Sequence, residues 1–178
     1  MKTKTVLLCC ASVVAATVAA AGCSSEPKQE FAVPKSLCGV PVATDALSRV
    51  LPESGKKIAV EQDGEPSDGS VLCNVMVDGA KVLIVSTEWI NPGDSASHIL
   101  RSRLHAAEQK SADGGAIAYA DQAAASLIQC RRAGFQTEDV STFIMTLKPG
   151  RTDEHAVEGV ISSYTAAYKK QQPCRPES

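Results

Sequence analysis

The chain has 178 residues and a formal net charge of −2 at pH 7, which is long enough for one domain with a substantial core. Nucleic-acid-binding domains concentrate Lys and Arg on one surface, so this mildly acidic composition argues against a nucleic-acid partner. The chain contains one Trp, three Tyr and three Phe, and so few rings disfavour a platform on which bases or sugars would stack.

The first 22 residues have the pattern of an export signal. Lys2 and Lys4 supply a positive start, and residues 6–21 follow with no charged side chain. This run is shorter than the about 20 apolar residues that a transmembrane helix needs. The sequence therefore predicts a signal peptide over residues 1–22.

Small residues at positions 20–22 are followed directly by Cys23. This order resembles the lipobox of bacterial membrane lipoproteins, and the layout of the whole chain resembles actinobacterial lipoproteins in particular. The resemblance implies cleavage before Cys23, a thioether link from its sulfur to diacylglycerol, and a location on the outer face of the cytoplasmic membrane. Ala20 stands where a lipobox more often has leucine, and residues 19–21 also form an A-x-A cleavage site. Secretion as a free protein is therefore the alternative.

Removal of residues 1–22 leaves 156 residues with 16 basic and 20 acidic side chains. Residues 23–35 are predicted to be the lipidated amino terminus and a flexible polar tether, because only residues 31–33 offer apolar side chains to bury. Residues 36–178 are predicted to form a single extracytoplasmic domain. The expected partners are the membrane, through the lipid, and an envelope protein or a small ligand for the domain.

The first half of the domain is predicted to contain a short helix, a strand and a hairpin. Thr44 can cap the helix, and residues 57–62 form the strand. Residues 71–77 and 81–90 form the hairpin, and Asp78–Gly79 suits the positive φ angles of a two-residue turn. The side chains of its second strand are expected to divide between two faces, with Leu83, Val85 and Trp89 on one and Val82, Ile84 and Ile90 on the other.

The second half is predicted to contain a helix, a short strand, a second hairpin and a last helix. These elements are a helix from Asp94 or Ser95 to about Lys110, an edge strand over residues 116–120, a hairpin of residues 126–132 and 140–147, and a helix capped by Thr152. The last helix carries a core stripe at helical spacing, namely Val157, Val160, Ile161, Tyr164 and Tyr168. The repeated order of elements suggests a degenerate duplication.

These elements predict an α+β domain. Its expected architecture has two layers, an antiparallel sheet made of two hairpins and helices packed on one face of that sheet. Disulfides are expected to link the terminal helices of the domain covalently to the sheet.

Four cysteines are left once the signal is removed and Cys23 is lipidated. An even number in an exported chain indicates two disulfides, for which three pairings are possible. The pairing that joins each end of the domain to its nearest hairpin is favoured, and each bond would contribute about 3–4 kcal/mol. The four residues and the favoured pairs are Cys38–Cys73 and Cys130–Cys174.

No set of residues predicts an active site. Residues 93–95 resemble the Gly-Asp-Ser opening of SGNH esterases, but that family also needs an Asp-x-x-His motif, and residues 153–155 have a different spacing. Residues 54–57, 67–69 and 148–150 imitate in order the motifs of penicillin-binding enzymes, yet the first should open a helix and instead precedes a strand. Helix capping and turn formation explain these residues, so the chain is predicted not to be an enzyme, with a small esterase as the disfavoured alternative.

No cofactor or metal site is predicted. His98 and His105 are two helical turns apart, about 10 Å, which is too far for one metal ion, and His155 lies near a helix start. The acidic loop lacks the ligand spacing of a calcium loop; its acids are Asp63, Glu65 and Asp68.

Two functions are therefore carried forward. The first is a binding module whose sheet face or hairpin loops meet a partner, with Trp89 and Phe135 as possible aromatic anchors. The alternative for Trp89 is a place in the core. The second function is a carrier of a small molecule or lipid in a pocket between sheet and helices.

Overall fold

The computed structural model describes residues 29–65, 69–104, 108–130 and 138–174. These residues form two sheets and three α-helices. The elements are, in chain order, strands β1 (Ser36–Leu37) and β2 (Val40–Pro41), helix α1 (Thr44–Val50), strands β3 (Ile58–Asp63), β4 (Ser70–Val77) and β5 (Ala80–Ile90), helix α2 (Ala96–Leu104), strand β6 (Lys110–Ala112), a 3₁₀ turn (Asp113–Gly115), strands β7 (Ile117–Tyr119), β8 (Ala123–Ile128) and β9 (Asp139–Thr146), and helix α3 (Glu154–Lys170).

The main sheet has seven strands in the order β3-β4-β5-β9-β8-β7-β6, and every neighbouring pair is antiparallel. β1 and β2 form a separate two-stranded sheet. The predicted hairpins are β4–β5 and β8–β9, and they meet where β5 pairs with β9. Asp78 and Gly79 have φ angles of 50° and 84°, as the predicted turn requires. The predicted α+β class is confirmed.

α1 and α3 cover one face of the main sheet and enclose the larger core. Their side chains pack on strand residues that are almost fully buried, so this layer supplies much of the hydrophobic stabilisation of the fold. The helical members include Leu47, Val50, Val157, Val160 and Ile161, and the strand members include Val75, Leu83, Val85 and Ile144.

α2 lies on the opposite face of the sheet and encloses a second core with β7, β8 and β9. The alternation along β8 shows the division: Thr165 of α3 donates a hydrogen bond to Ser126 at 2.7 Å, while Ala125 and Leu127 pack against α2. The expectation that the helices share one face holds for α1 and α3 and is wrong for α2. The physical reason is that β8 is apolar on both faces, so each face needs a cover.

A bulge in β5 changes the face of one predicted side chain. The register between β4 and β5 shifts after Val75, so that Met76 lies opposite Lys81 and Val82 is the extra residue. Val82 is therefore fully buried in the larger core beside Leu83. The prediction that Val82 shares a face with Ile84 is wrong for this reason.

Several predicted element ends are also corrected. Ala43 rather than Thr44 is the N-cap of α1, and Asp153 rather than Thr152 caps α3, because its carboxylate accepts a hydrogen bond from the Ala156 N–H at 2.9 Å. Lys110 lies in β6 and not in α2, which makes β6 the edge strand instead of residues 116–120.

Residues 29–35 belong to the folded domain rather than to the predicted tether. Gln29 pairs with Gly55 in an isolated bridge, and Phe31 is 9% exposed in the larger core. A Cβ at Gly55 would lie 2.5 Å from the Val77 side chain and 3.1 Å from the Phe31 ring, so this close packing needs glycine. Burial of one aromatic ring outweighs the polar composition of the segment, and the domain begins before residue 36.

Both favoured disulfides are present. Cys38–Cys73 ties the β1–β2 hairpin to β4, and Cys130–Cys174 ties the end of β8 to the segment after α3. The predicted pairing is confirmed. Each bond joins an end of the chain to the main sheet.

Candidate binding surface

The described residues cover only part of the sheet face that carries α2. α2 lies over β7, β8 and β9, and beside it the side chains of β4 and β5 are half-exposed. Side chains on this side of an exposed antiparallel sheet are ordinarily polar, whereas several here are apolar. We name as the open face five half-exposed residues among those that point to this side of β4 and β5: Leu72, Asn74, Met76, Ile84 and Ser86.

Arg103 of α2 borders the open face on one side. Its guanidinium donates hydrogen bonds to Ser86 Oγ at 3.1 Å and to the Glu88 carboxylate, and it lies 5.2 Å from the centre of the Phe143 ring. Burial lowers the pKa of Arg103, but a guanidinium stays charged at any physiological pH. An Arg103–Glu88 ion pair is therefore held at the boundary between the α2-covered part of the sheet and the open face.

Acidic side chains border the opposite side. Glu61 and Asp63 are exposed on β3, next to β4 in the sheet. Where β3 ends, a cleft of about 380 Å³ lies between Asp63 and Arg103. Leu72 and Ser86 are among the residues that line it. The open face thus lies between the Arg103–Glu88 ion pair on one side and the acidic side chains of β3 on the other.

The residues considered for catalysis do not form a catalytic set. Ser95 Oγ accepts a hydrogen bond from the His98 N–H at 3.1 Å, so Ser95 caps α2. The His98 ring lies 3.8 Å from the Asp94 carboxylate and the His155 ring 3.9 Å from that of Glu158, all at the surface. Each histidine therefore lies beside a carboxylate three or four residues away in the sequence, at the start of a helix, and not beside a nucleophile.

The residues considered for metal binding are likewise not brought together. Within the described ranges there is no group of three His, Cys, Asp or Glu side chains that could hold a metal ion. Asp63 and Glu65 are described, while Asp68 and His105 lie outside the described residues.

Trp89, the predicted aromatic anchor that the structure describes, does not lie on the open face. Trp89 is half-buried and packs with Ile128 and Val140 in a small cluster that also contains Tyr168 of α3, on the other face of the sheet. This position supports the core interpretation of Trp89. Phe135 and the lipidation candidate Cys23 lie outside the described residues.

The space between the sheet and α3, proposed for a carried ligand, is filled by side chains. Val160 and Ile161 have no exposed surface, and Tyr164 is 4% exposed. Burial raises the pKa of the Tyr164 phenol to about 12. A cleft of about 490 Å³ lies instead at the surface, where Asp94, Ser95 and Lys169 are among its lining residues.

The open face was not singled out from the sequence, although a signal for it exists. In β4 the inward positions Val71, Cys73, Val75 and Val77 alternate as expected, but Leu72 and Met76 are apolar at the outward positions. A strand that is apolar on both sides is typical of one covered on both sides. Local periodicity cannot show whether the second cover comes from the chain itself.

Comparison with protein families, curated proteins and solved structures finds no match to this chain. None of the helices in the described parts of the chain is long and apolar enough to cross a membrane.

Proposed function

We propose that the chain is a lipid-anchored binding module of the bacterial cell envelope, which holds an amphipathic helix of a protein partner on its open face. The observation that carries this proposal is the set of half-exposed apolar side chains on β4 and β5, namely Leu72, Met76 and Ile84. The lipobox resemblance around Cys23 supports the anchor, because two or three acyl chains hold a protein stably at a bilayer.

A helix is the occupant that the geometry favours. On the same face, α2 already packs through Ala96, Ile99 and Leu100. The uncovered strands β3, β4 and β5 lie about 4.8 Å apart, so together they offer about the width of one helix with its side chains. A partner helix beside α2 would complete the layer that α2 begins.

The borders of the open face define the charges that such a helix should carry. Arg103, which pairs with Glu88, lies on the α2 side, and the exposed acids Glu61 and Asp63 lie on the β3 side. A partner helix with basic side chains toward β3 would match the acids of that border, while the Arg103–Glu88 pair leaves the α2 border without a strong charge preference. Complementary charges of this kind fix orientation and suppress wrong partners.

Site-specific photo-crosslinking in intact membranes tests the binding surface. A photoreactive residue in place of Ile84 is expected to yield one product, with the attachment site on the apolar side of a helix of another protein. The matched control is the same residue in place of Gln62, which is exposed on β3 and points to the other face. Adding Met76→Glu should reduce the Ile84 product at least about tenfold, because a carboxylate in the apolar contact must lose its hydration even beside Lys81 on the neighbouring strand, which costs more than about 1.4 kcal/mol.

Two outcomes contradict the binding proposal. Equal yields from positions 84 and 62 would show that the open face has no preferred partner. A product between two copies of this chain would assign the open face to self-association. If the Met76→Glu variant unfolds at the same midpoint temperature as the wild type, misfolding is excluded as the cause of a lower yield of crosslinked product.

The lipid anchor has its own measurement, the unreduced intact mass of the protein extracted from its native membrane. We expect the mass of residues 23–178 with diacylglycerol and one acyl group, less four hydrogens for the two disulfides. A mass without lipid would show secretion as a free protein, and the anchor would be rejected.

A further inference from the structure

The place where the chain enters the domain is held firmly. The backbone N–H of Glu30 donates to the Gly55 carbonyl at 2.8 Å, and the Gln29 side-chain amide donates to the Pro52 carbonyl at 3.3 Å. Gln29 therefore lies at a defined point on the surface, beside the loop that precedes β3.

The segment between this point and the proposed anchor is short. Only residues 23–28 separate the domain from the attachment sulfur, and six residues span at most about 20 Å when fully extended. The part of the domain around Gln29 must then lie close to the bilayer. This step rests on the proposed lipid anchor.

Exposed lysines cluster at the same end of the sheet. Lys56 and Lys57 directly precede β3, and Lys81 is the second residue of β5, next to the β4–β5 turn. Antiparallel pairing brings the start of β3 to the β4–β5 turn, where the Asp78 N–H donates to the Lys57 carbonyl at 2.9 Å. We name Lys56, Lys57 and Lys81 the lysine corner.

The acids near the lysine corner are largely engaged by the protein itself. The Asp78 carboxylate accepts hydrogen bonds from the N–H groups of Lys56 and Lys57 at 2.8–3.1 Å, and these bonds lower its pKa. Glu53 pairs with Arg151 at 2.9 Å, and Glu30 is exposed. The three exposed lysines thus outnumber Glu30, the remaining exposed acid of this end.

The opposite ends of the same strands are acidic. β3 ends at Asp63, and Glu88 lies near the end of β5. β9, which pairs with β5, begins there with Asp139, whose side chain is buried. Exposed lysines therefore mark the end where the tether enters, and the exposed Asp63 marks the far end, where Glu88 is paired with Arg103.

We propose that the lysine corner rests on the anionic phospholipid headgroups of the membrane that holds the anchor. Strands β3–β5 then rise from the bilayer with their acidic ends outward, and the open face stands at the side of the domain, accessible to a partner. A juxtamembrane cluster of basic residues is attracted by the negative potential of anionic lipids, and the attraction falls off within a Debye length.

Vesicle sedimentation tests this contact without the lipid chain. The probe is a set of phosphatidylcholine vesicles, with and without phosphatidylglycerol, mixed with the chain from residue 23 carrying Cys23→Ser. We expect binding only to the vesicles that contain phosphatidylglycerol, and release at high salt. Neutralising the lysine corner with Lys56→Gln, Lys57→Gln and Lys81→Gln should weaken binding on the order of 100-fold.

The matched control neutralises three other lysines, Lys35, Lys169 and Lys170, which changes the net charge equally. This control is expected to retain most of the binding. An equal loss in both variants, or equal binding to both kinds of vesicle, would overturn the proposed orientation. The intact mass of the native protein reports separately on the anchor, so failure of the anchor and failure of the lysine corner are distinguishable.

Discussion

Replacing both Cys38 and Cys73 by serine is expected to lower the free energy of unfolding by about 4 kcal/mol. The disulfide joins residues that are 35 positions apart, and its removal restores the conformational freedom of a loop of that length to the unfolded chain. It also removes the covalent link between the β1–β2 hairpin and β4. Leu37 and Val40 of that hairpin are buried in the larger core, so their packing depends on the hairpin staying in place.

Urea unfolding at fixed pH measures this loss. The matched comparison is the double substitution of Cys130 and Cys174, whose separation of 44 residues gives a similar loop-entropy contribution of about 4 kcal/mol. The two variants should lose similar amounts, because each pair has one buried member, Cys73 at 1% exposed and Cys130 with no exposed surface, where serine also buries a hydroxyl. A loss of less than about 1 kcal/mol in the Cys38 and Cys73 variant would contradict the loop-entropy argument.

Leu100→Ala is expected to destabilise the domain by about 3 kcal/mol, within the range for leucine truncation in a core. Leu100 has no exposed surface and lies in the second core, between α2 and the strands that carry Ala118, Ala125 and Leu127. Those alanine-rich strands have little side-chain volume with which to refill a cavity. The truncated side chain would therefore leave most of its space empty.

Leu104→Ala is the matched control on the same helix. Leu104 is only partly buried against the second core, so its truncation is expected to cost about 1 kcal/mol. The two variants are compared by chemical unfolding under identical conditions. Equal effects would show that α2 is not anchored through Leu100, and the assignment of α2 to its own side of the sheet would be wrong.

The lysine corner and the open face would serve different parts of one task. The first lies at the end of the sheet where Gln29 enters, and the second lies along β4 and β5. A domain held upright by the lysine corner would present the open face parallel to the membrane normal. A partner helix that runs in the same direction could then lie along the full length of the strands.

Much of the fold could be predicted because it depends on local patterns. The alternation in residues 71–77 and the Asp78–Gly79 turn determine a hairpin within a few residues of chain. The stripe from Val157 to Tyr164 likewise marks one helical face with no reference to the rest of the molecule. The disulfides were predictable because each joins an end of the domain to its nearest hairpin.

The candidate site could be predicted only in part, because an exposed surface is defined by what fails to cover it. Leu72 and Met76 are visible in the sequence as outward apolar residues, yet their exposure depends on the place of α2. Trp89 illustrates the reverse case: its ring suggested an anchor, but it packs among Ile128, Val140 and Tyr168. The spacing of residues along the chain predicts neither the exposure of Leu72 and Met76 nor the burial of Trp89.

The sequence by itself determined the class of this protein, its hairpins, its terminal helix and its cysteine pairs, since these follow from periodicity, turn chemistry and short separations. Only the tertiary structure decided that α2 covers the second face of the sheet, that Val82 turns into the larger core and that Phe31 draws residues 29–35 into the domain. Each of these depends on contacts between distant segments, such as the pairing of β5 with β9. Burial of apolar surface is non-directional. The local pattern therefore shows which side chains must be buried, but only the folded chain shows which segment buries them.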